Sequence, residues 1–307
     1  MTHGEADPGL TAVPGLRVGH WTDADARTGC TVVLAPPGGA VGSGRVLGAA
    51  PGTREAALLD PAATVSTVHA LLLTGGSAFG LDAAGGVMAA LEAAGEGVPT
   101  PAGPVPIVPA AVLYDLAVGR ADVRPGAAEG RAATDAAHDG LVAEGAVGVG
   151  TGATVGKVAG VKHAVRSGVG SVSRRLEGGA TLGVLAVSNA AGALVAPDGT
   201  PVAGRAGPPD GGSVPLVAGT QTTLVVLATD ATLDAAGARA LATSAHAGIA
   251  RVTRPSHTPF DGDTTFVLAT GARPAVDPTL LAATAQEGVA DAILRGARAG
   301  ASGGDAP

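Results

Sequence analysis

Two segments near the C-terminal end, TTLVVLATD (222–230) and TTFVLATG (264–271), are short runs of apolar and β-branched residues, each followed by an Ala- and Leu-rich stretch of helical length. Runs of this kind bounded by Gly, Pro or Asp read as buried strands. The order is strand 222–229, helix 232–250, strand 264–270 and helix 278–297. Such alternation lays helices over a sheet. CTVVLAP (30–36), HALLLTGG (69–76), VPIVPAAVLY (105–114) and TLGVLAVSN (181–189) predict further strands, and 78–95 and 127–145 carry helical patterns. Between 170 and 202 the strands are joined by Gly-Gly and Asp-Gly turns, which predict antiparallel hairpins and therefore a mixed sheet.

The material for this core is unusual. Apolar residues make up 46% of the chain, but aromatics only 2%, and there are 50 glycines. A core of Ala, Val and Leu must pack with backbones close together. The Gly/Pro-rich segment 196–220 reads as loop, and too little chain follows it to form an independent sheet. One domain spanning 1–307 is expected, with loose ends at 1–14 and 298–307.

A net charge of −7 with no Lys/Arg block argues against a nucleic-acid partner. Cys30 is the single cysteine, so neither an internal disulfide nor a zinc cluster can form. No basic leader or membrane-length apolar run is present, which makes a cytoplasmic address the expectation and a membrane partner unexpected.

Several motifs fall short. GVGTGATVGK (148–157) leaves three residues between Gly152 and Gly156 where a phosphate loop needs four, and Val158 follows Lys157 where Ser or Thr is required. Nucleotide binding by this loop is one alternative to an enzymatic reading; a catalytically silent chain with a structural or ligand-binding role is the other. Ser77 lies between a strand and a helix, but Phe79 breaks the G-x-S-x-G spacing. It is read as a helix cap following a Gly75–Gly76 turn. The seven histidines have no metal-ligand spacing, and no cofactor or metal is expected.

Gln221-Thr222-Thr223 opens the strand at 222 directly after the Gly/Pro segment. A Thr hydroxyl is a weak nucleophile unless a base stands beside it, and one solution is to free its own α-amine by cutting the preceding bond. That amine titrates at about 7.7 to 8 and can take the proton at neutral pH. The chemistry needs a Thr at the start of a rigid strand and a releasable segment before it. Thr222 has both, although an ordinary strand entry would look the same.

With its neighbours, the stretch resembles the self-processing L-aminopeptidase/D-esterase family, which includes the nylon-oligomer hydrolases. The resemblance runs through GLRVGHWTDADARTGCTVVL, LLLTGGSAFGLDAAGGV, VPIVPAAVLYDL, GTGATVGK, LAVSN, TTLVVLATDATL, AHAGIARV and HTPFDGDTTFVLATG. It implies a four-layer αββα sandwich of the N-terminal-nucleophile kind, and hydrolysis of small peptides, amino-acid amides or esters, or aliphatic polyamide oligomers. It also implies Thr222 as nucleophile, self-cleavage at Gln221–Thr222 into 1–221 and 222–307, and a tetramer of processed subunits. Asn189 matches an oxyanion-stabilising asparagine, Lys157 and Tyr114 match pocket residues, and Asp261 and Asp263 match a carboxylate pair beside the nucleophile. For Lys157 the expected partner is one of these carboxylates, which would hold its charge. Gln221 departs from the Asn or Gly usual before the nucleophile, so a slower cut is expected.

Overall fold

The computed structural model describes residues 6–205 and 216–302, with the side chain of Ala159 left aside. Two mixed sheets form its centre. The larger has the order Val169–Arg175, Thr181–Asn189, Thr222–Ala231, Thr264–Arg273, Ala40–Val46, Thr67–Val68. Its only parallel pair is Thr222–Ala231 with Thr264–Arg273, joined by a helical crossover. The smaller has the order Arg17–Asp23, Thr28–Leu34, Ala70–Thr74, Ala110–Val112, Thr53–Arg54, again with one parallel pair.

Strand residues alternate between faces, and here both faces are apolar. In Thr222–Ala231, Val225 and Leu227 join a cluster with Leu241, Ile249, Val289 and Ile293 of two helices. Those helices are α3 (Ala235–Val252) and α4 (Pro278–Ala301). Leu224, Val226 and Ala228 join a second cluster with Val33, Leu71 and Leu73 of the other sheet. The opposite face of that sheet, through Val32 and Leu72, packs on Ala84, Val87 and Ala133. These belong to α1 (Ala83–Ala93) and α2 (Ala127–Asp135). Three apolar interfaces separate four layers in the order α, β, β, α.

The two helices on the larger sheet begin at aspartate caps. Asp234 accepts the Gly237 amide at 2.7 Å and Asp277 accepts the Thr279 amide at 2.6 Å, each capping a first turn. Glycine makes the close packing feasible: a Cβ on Gly300 of α4 would lie 1.9 Å from the Ser167 carbonyl oxygen.

Some expectations need correction. Residues 9–12 form a 3-10 turn with Leu10 fully buried, and α4 runs through Ala301, so neither end is loose over its described part. The expected helix 127–145 stops at Asp135, because His138 leaves to exchange two backbone hydrogen bonds with Val18 of an edge strand. Within 196–220, Pro201–Ala203 forms a short strand paired with Ala193–Val195, while 206–215 lie outside the described residues. Ser77 makes no cap; its φ is 54°, and the turn is closed instead by the Gly76 amide donating to Asp115.

Candidate active site

The antiparallel register sets Asn189, the last residue of its strand, directly opposite Thr222, the first residue of the next. On the other side, Gln221 forms a parallel bridge with Asp261. Register alone therefore gathers the ends of three strands at one edge of the interior. The loop carrying Asp261 and Asp263 is clamped from outside: the Leu47 and Gly48 amides donate to the Asp263 carbonyl, and the Ala50 amide to the Asp261 carbonyl.

Thr222 is 4% exposed and its Oγ1 lies 2.5 Å from the carbonyl oxygen of Gln221. The same oxygen accepts the Gly262 amide at 2.8 Å. Gly262 has to be glycine for this approach, since a Cβ there would lie 2.9 Å from Thr222 Oγ1. The Gln221 side chain is buried, and its Oε1 has no hydrogen-bond partner among the described residues.

Lys157 follows a left-handed Gly156 (φ 82°), which turns it inward. Its Nζ donates to the backbone carbonyl and to Oδ1 of Asn189, both at 2.7 Å. The expected carboxylate partner is not there: no acidic oxygen lies within ion-pair distance of Nζ among the described residues. Burial pulls the Lys157 pKa down to about 7, and the charge of Asp261 only partly opposes it. Neutral lysine is thus accessible near neutrality, contrary to the fixed charge expected from sequence.

The Asn189 amide is fully engaged. Oδ1 also accepts the Thr154 amide at 3.0 Å, while Nδ2 donates to the carbonyls of Tyr114 at 3.0 Å and Thr220 at 3.4 Å. The Tyr114 side chain stands in the wall of a cavity of about 200 Å³ shared with Val118, Lys157, Val161, Leu216 and Gln221. Among the described lining residues Lys157 alone is charged.

Asp261 and Asp263 differ in their surroundings. Asp261 Oδ2 accepts the Thr258 amide at 2.7 Å and the Thr258 hydroxyl at 2.5 Å, whereas buried Oδ1 has no hydrogen bond of ordinary geometry among the described residues, the Ala191 amide being near the carboxylate without closing one. Burial and the charge of Asp263 raise the Asp261 pKa, with Thr258 and the Ala191 amide opposing. Asp263 Oδ1 accepts the Thr223 amide at 2.6 Å, and Oδ2 pairs with His257 Nδ1 at 2.7 Å. His257 and Gly262 escaped the sequence reading because their partners are chosen by loop geometry. The sole hint was their place in HTPFDGDTTF.

The glycine-rich loop 148–157 offers no cradle for phosphate. The amides of Gly148 and Val149 go to the Thr22 and Thr31 hydroxyls. Those of Gly150, Thr151, Ala153 and Gly156 go to backbone carbonyls. A phosphate loop would leave such groups free.

The chain matches the model of peptidase family S58 over residues 9–301. It is similar to an uncharacterized aminopeptidase of Mycobacterium tuberculosis, at 48% identity over 289 residues covering 86% of this chain and 81% of the relative. A 6-aminohexanoate-oligomer endohydrolase of Agromyces sp. is 30% identical over 253 residues, covering 74% of this chain and 70% of that protein. The solved L-aminopeptidase D-Ala-esterase/amidase of Ochrobactrum anthropi, described as a new variant of the Ntn-hydrolase fold, superposes with a TM-score of 0.69. Its identity is 19%, over 94% of this chain and 85% of that one. Shared fold, sequence and family model agree: the chain is a hydrolase acting on peptide or amide bonds and belongs to peptidase family S58.

Proposed function

We propose that the chain is a self-processing amidohydrolase in which Thr222 cuts the Gln221–Thr222 bond and then, as a new N-terminus, attacks amide substrates. The observation that carries this reading is the convergence on the Gln221 carbonyl of the Thr222 hydroxyl at 2.5 Å and the Gly262 amide at 2.8 Å. The first sets the nucleophile hydroxyl, as a donor to its oxygen, on the carbonyl it would attack; the second is a donor to the oxygen on which an oxyanion would develop.

In the cut, Thr222 Oγ bonds to the Gln221 carbonyl carbon while its proton passes to a base of the buried cluster. Lys157, whose Nζ is held on Asn189 directly across the strand pair from Thr222 and whose pKa burial lowers to about 7, is suited to that task. Collapse of the adduct breaks the C–N bond, and the Thr222 nitrogen takes up a proton. Water then splits the ester into the Gln221 carboxylate and a Thr222 with free hydroxyl and α-amine.

The cut also rearranges the site. The Thr220 carbonyl, which holds one N–H of Asn189 Nδ2, belongs to the segment that is freed. Its departure leaves Asn189 a donor for the oxyanion of an incoming substrate. Leu216, Val217, Thr220 and Gln221 leave the cavity wall and widen it. The α-amine of Thr222 becomes the base, and substrate is cleaved through an acyl-Thr222 ester. Fragments 1–221 and 222–307 stay together because the larger sheet takes strands from both.

The apolar cavity suits small peptides, amino-acid amides or esters, and linear aliphatic oligoamides of the kind named for the Agromyces relative. N-terminal sequencing of the purified protein tests the reading: the smaller fragment should begin at Thr222. Thr222→Ala should remain one chain and lose at least about 10⁴-fold in amide hydrolysis, whereas Thr223→Ala should still be cut. A different start, or hydrolysis by a chain never cut, would overturn it.

A further inference from the structure

Behind the carboxylate pair lies a histidine to which neither the family match nor the reaction above gives a task. His257 has a φ of 52°, a left-handed conformation uncommon for a residue with a side chain. Its ring is mostly buried, with 18% side-chain exposure, and sits at 2.7 Å from Asp263 Oδ2. The backbone amide of His257 also donates to that oxygen, at 3.3 Å. The other ring nitrogen, Nε2, faces the His246 carbonyl at 3.3 Å, and the two imidazoles meet edge to face at 5.0 Å. His246 is tied in turn to the Arg45 carbonyl at 3.0 Å. His257 is therefore tied at Nε2, while its Nδ1 stands at ion-pair distance from the carboxylate, off the line of an ordinary hydrogen bond.

The far side of Asp263 explains why that matters. Its Oδ1 accepts the amide of Thr223, the residue directly after the nucleophile, at 2.6 Å. Resting on the self-processing reading, we infer that His257 is a positioning residue: by pairing with Asp263 it fixes the carboxylate that anchors the start of the nucleophile strand and screens Asp261 from a second negative charge. Without that positive partner, two buried carboxylates two residues apart would repel, and the Asp263 side chain would be free to turn away from Thr223.

The charged groups around His257 support this. Asp263 and Asp261 face it from its own loop, His246 from α3, and Arg45 acts from the strand Ala40–Val46 through His246. Burial alone would lower the His257 pKa, but the close approach and charge of Asp263 outweigh it and hold the imidazole above the ordinary histidine value. Burial pushes His246 down to about 4, so it brings no competing charge at neutral pH. A raised histidine keeps its ion pair below its ordinary pKa and loses it as pH climbs through the raised value. The contribution of His257 to the cut should thus fade on the alkaline side.

The test follows self-cleavage of freshly synthesised full-length chain between about pH 5.5 and 9, spanning the histidine range. Denaturing electrophoresis and intact mass report the cut. His257→Leu should slow it roughly tenfold to a hundredfold, the cost of a misplaced reacting group. His257→Gln keeps a donor without charge; it should recover part of the rate and lose the alkaline decline of the natural chain. In uncut Thr222→Ala protein, the His257 imidazole followed by NMR should titrate above 6.5 and move down when Asp263→Asn is added. Natural rates and an unchanged pH profile in both His257 variants, or an imidazole midpoint below 6.5, would overturn the inference. A natural chain that is not cut at Gln221–Thr222 would instead overturn the self-processing reading itself.

Discussion

Two buried carboxylates, one at each sheet, are treated in opposite ways. Asp115 closes the turn at the end of the smaller sheet, with Oδ1 accepting the Gly76 amide and Oδ2 the Thr28 hydroxyl, both at 2.7 Å. Both of its oxygens are satisfied. Asp261, at the end of the larger sheet, has one oxygen gripped twice by Thr258 and the other buried without a hydrogen bond of ordinary geometry among the described residues. Burial raises the pKa of each. The difference lies in what remains to be done: a carboxylate with a donor on each oxygen is spent on closing its turn, whereas one with an oxygen left without a hydrogen bond can still take a proton or a substrate donor. The same contrast separates the two strand-to-turn serine and threonine candidates. Ser77 stands beside the closed Asp115 turn, Thr222 beside the open Asp261.

Replacing Asp261 should break the contrast most visibly. Asp261→Asn can keep its oxygen toward Thr258 and turn its NH₂ into the unpartnered position, so folding survives. Self-cleavage and hydrolysis should fall by roughly 10²-fold or more, the usual contribution of a positioned acid or base. Stability should move the other way. A carboxyl whose folded pKa is raised lends stability below its ordinary pKa and loses it as pH rises through the raised value. Asn removes that loss, so thermal unfolding at neutral pH should be unchanged or later. A variant cut at the natural rate would show the free oxygen to be idle.

Lys157→Met should reduce the cut and later turnover by a similar or somewhat smaller factor. The pH dependence carries the diagnosis. A lysine depressed from 10.5 to about 7 favours the folded state above its ordinary pKa and loses that contribution as pH falls toward 7. The natural protein should therefore gain stability between those limits relative to Lys157→Met. Parallel stability curves for the two would put Nζ in water.

Asp115→Asn should do the reverse of Asp261→Asn. One of its two donors must now face an NH₂ group, at a cost of about 1–3 kcal/mol in unfolding free energy. The cut should proceed at its natural rate, as fragment appearance would report.

The strands legible in the sequence were those with unbroken β-branched runs, such as 181–189 and 222–231, where apolar side chains on both faces leave few alternatives. Ala40–Val46 was missed because Gly42 and Gly44 weaken a strand signal; their missing side chains make room for Val68 and Leu59. Thr222 and Asn189 were singled out by the family resemblance, and the antiparallel register sets them opposite each other. The partner of Lys157 was misjudged, since charge alone favours a carboxylate while the backbone turn at Gly156 aims Nζ at Asn189. Gly262 and His257 depend on contacts of a loop with elements far along the chain, which local spacing does not encode.

The smallest effect should come from Gln221, where the family resemblance leads one to expect Asn or Gly. A longer side chain was expected to shift the scissile carbonyl and slow the cut. The backbone argues otherwise, because Gln221 is bridged to Asp261 and its carbonyl is held by the Gly262 amide whatever the side chain does. The buried Oε1 has no partner among the described residues, so shortening the chain removes no hydrogen bond seen there. Gln221→Asn should accordingly change the cleavage rate by no more than a factor of about three, under 1 kcal/mol in barrier. A time course of fragment appearance for the two chains, run in parallel with Asp261→Asn, measures this directly. An acceleration beyond about tenfold would mean that the side chain, and not the loop carrying Gly262 and Asp261, sets the scissile carbonyl in place.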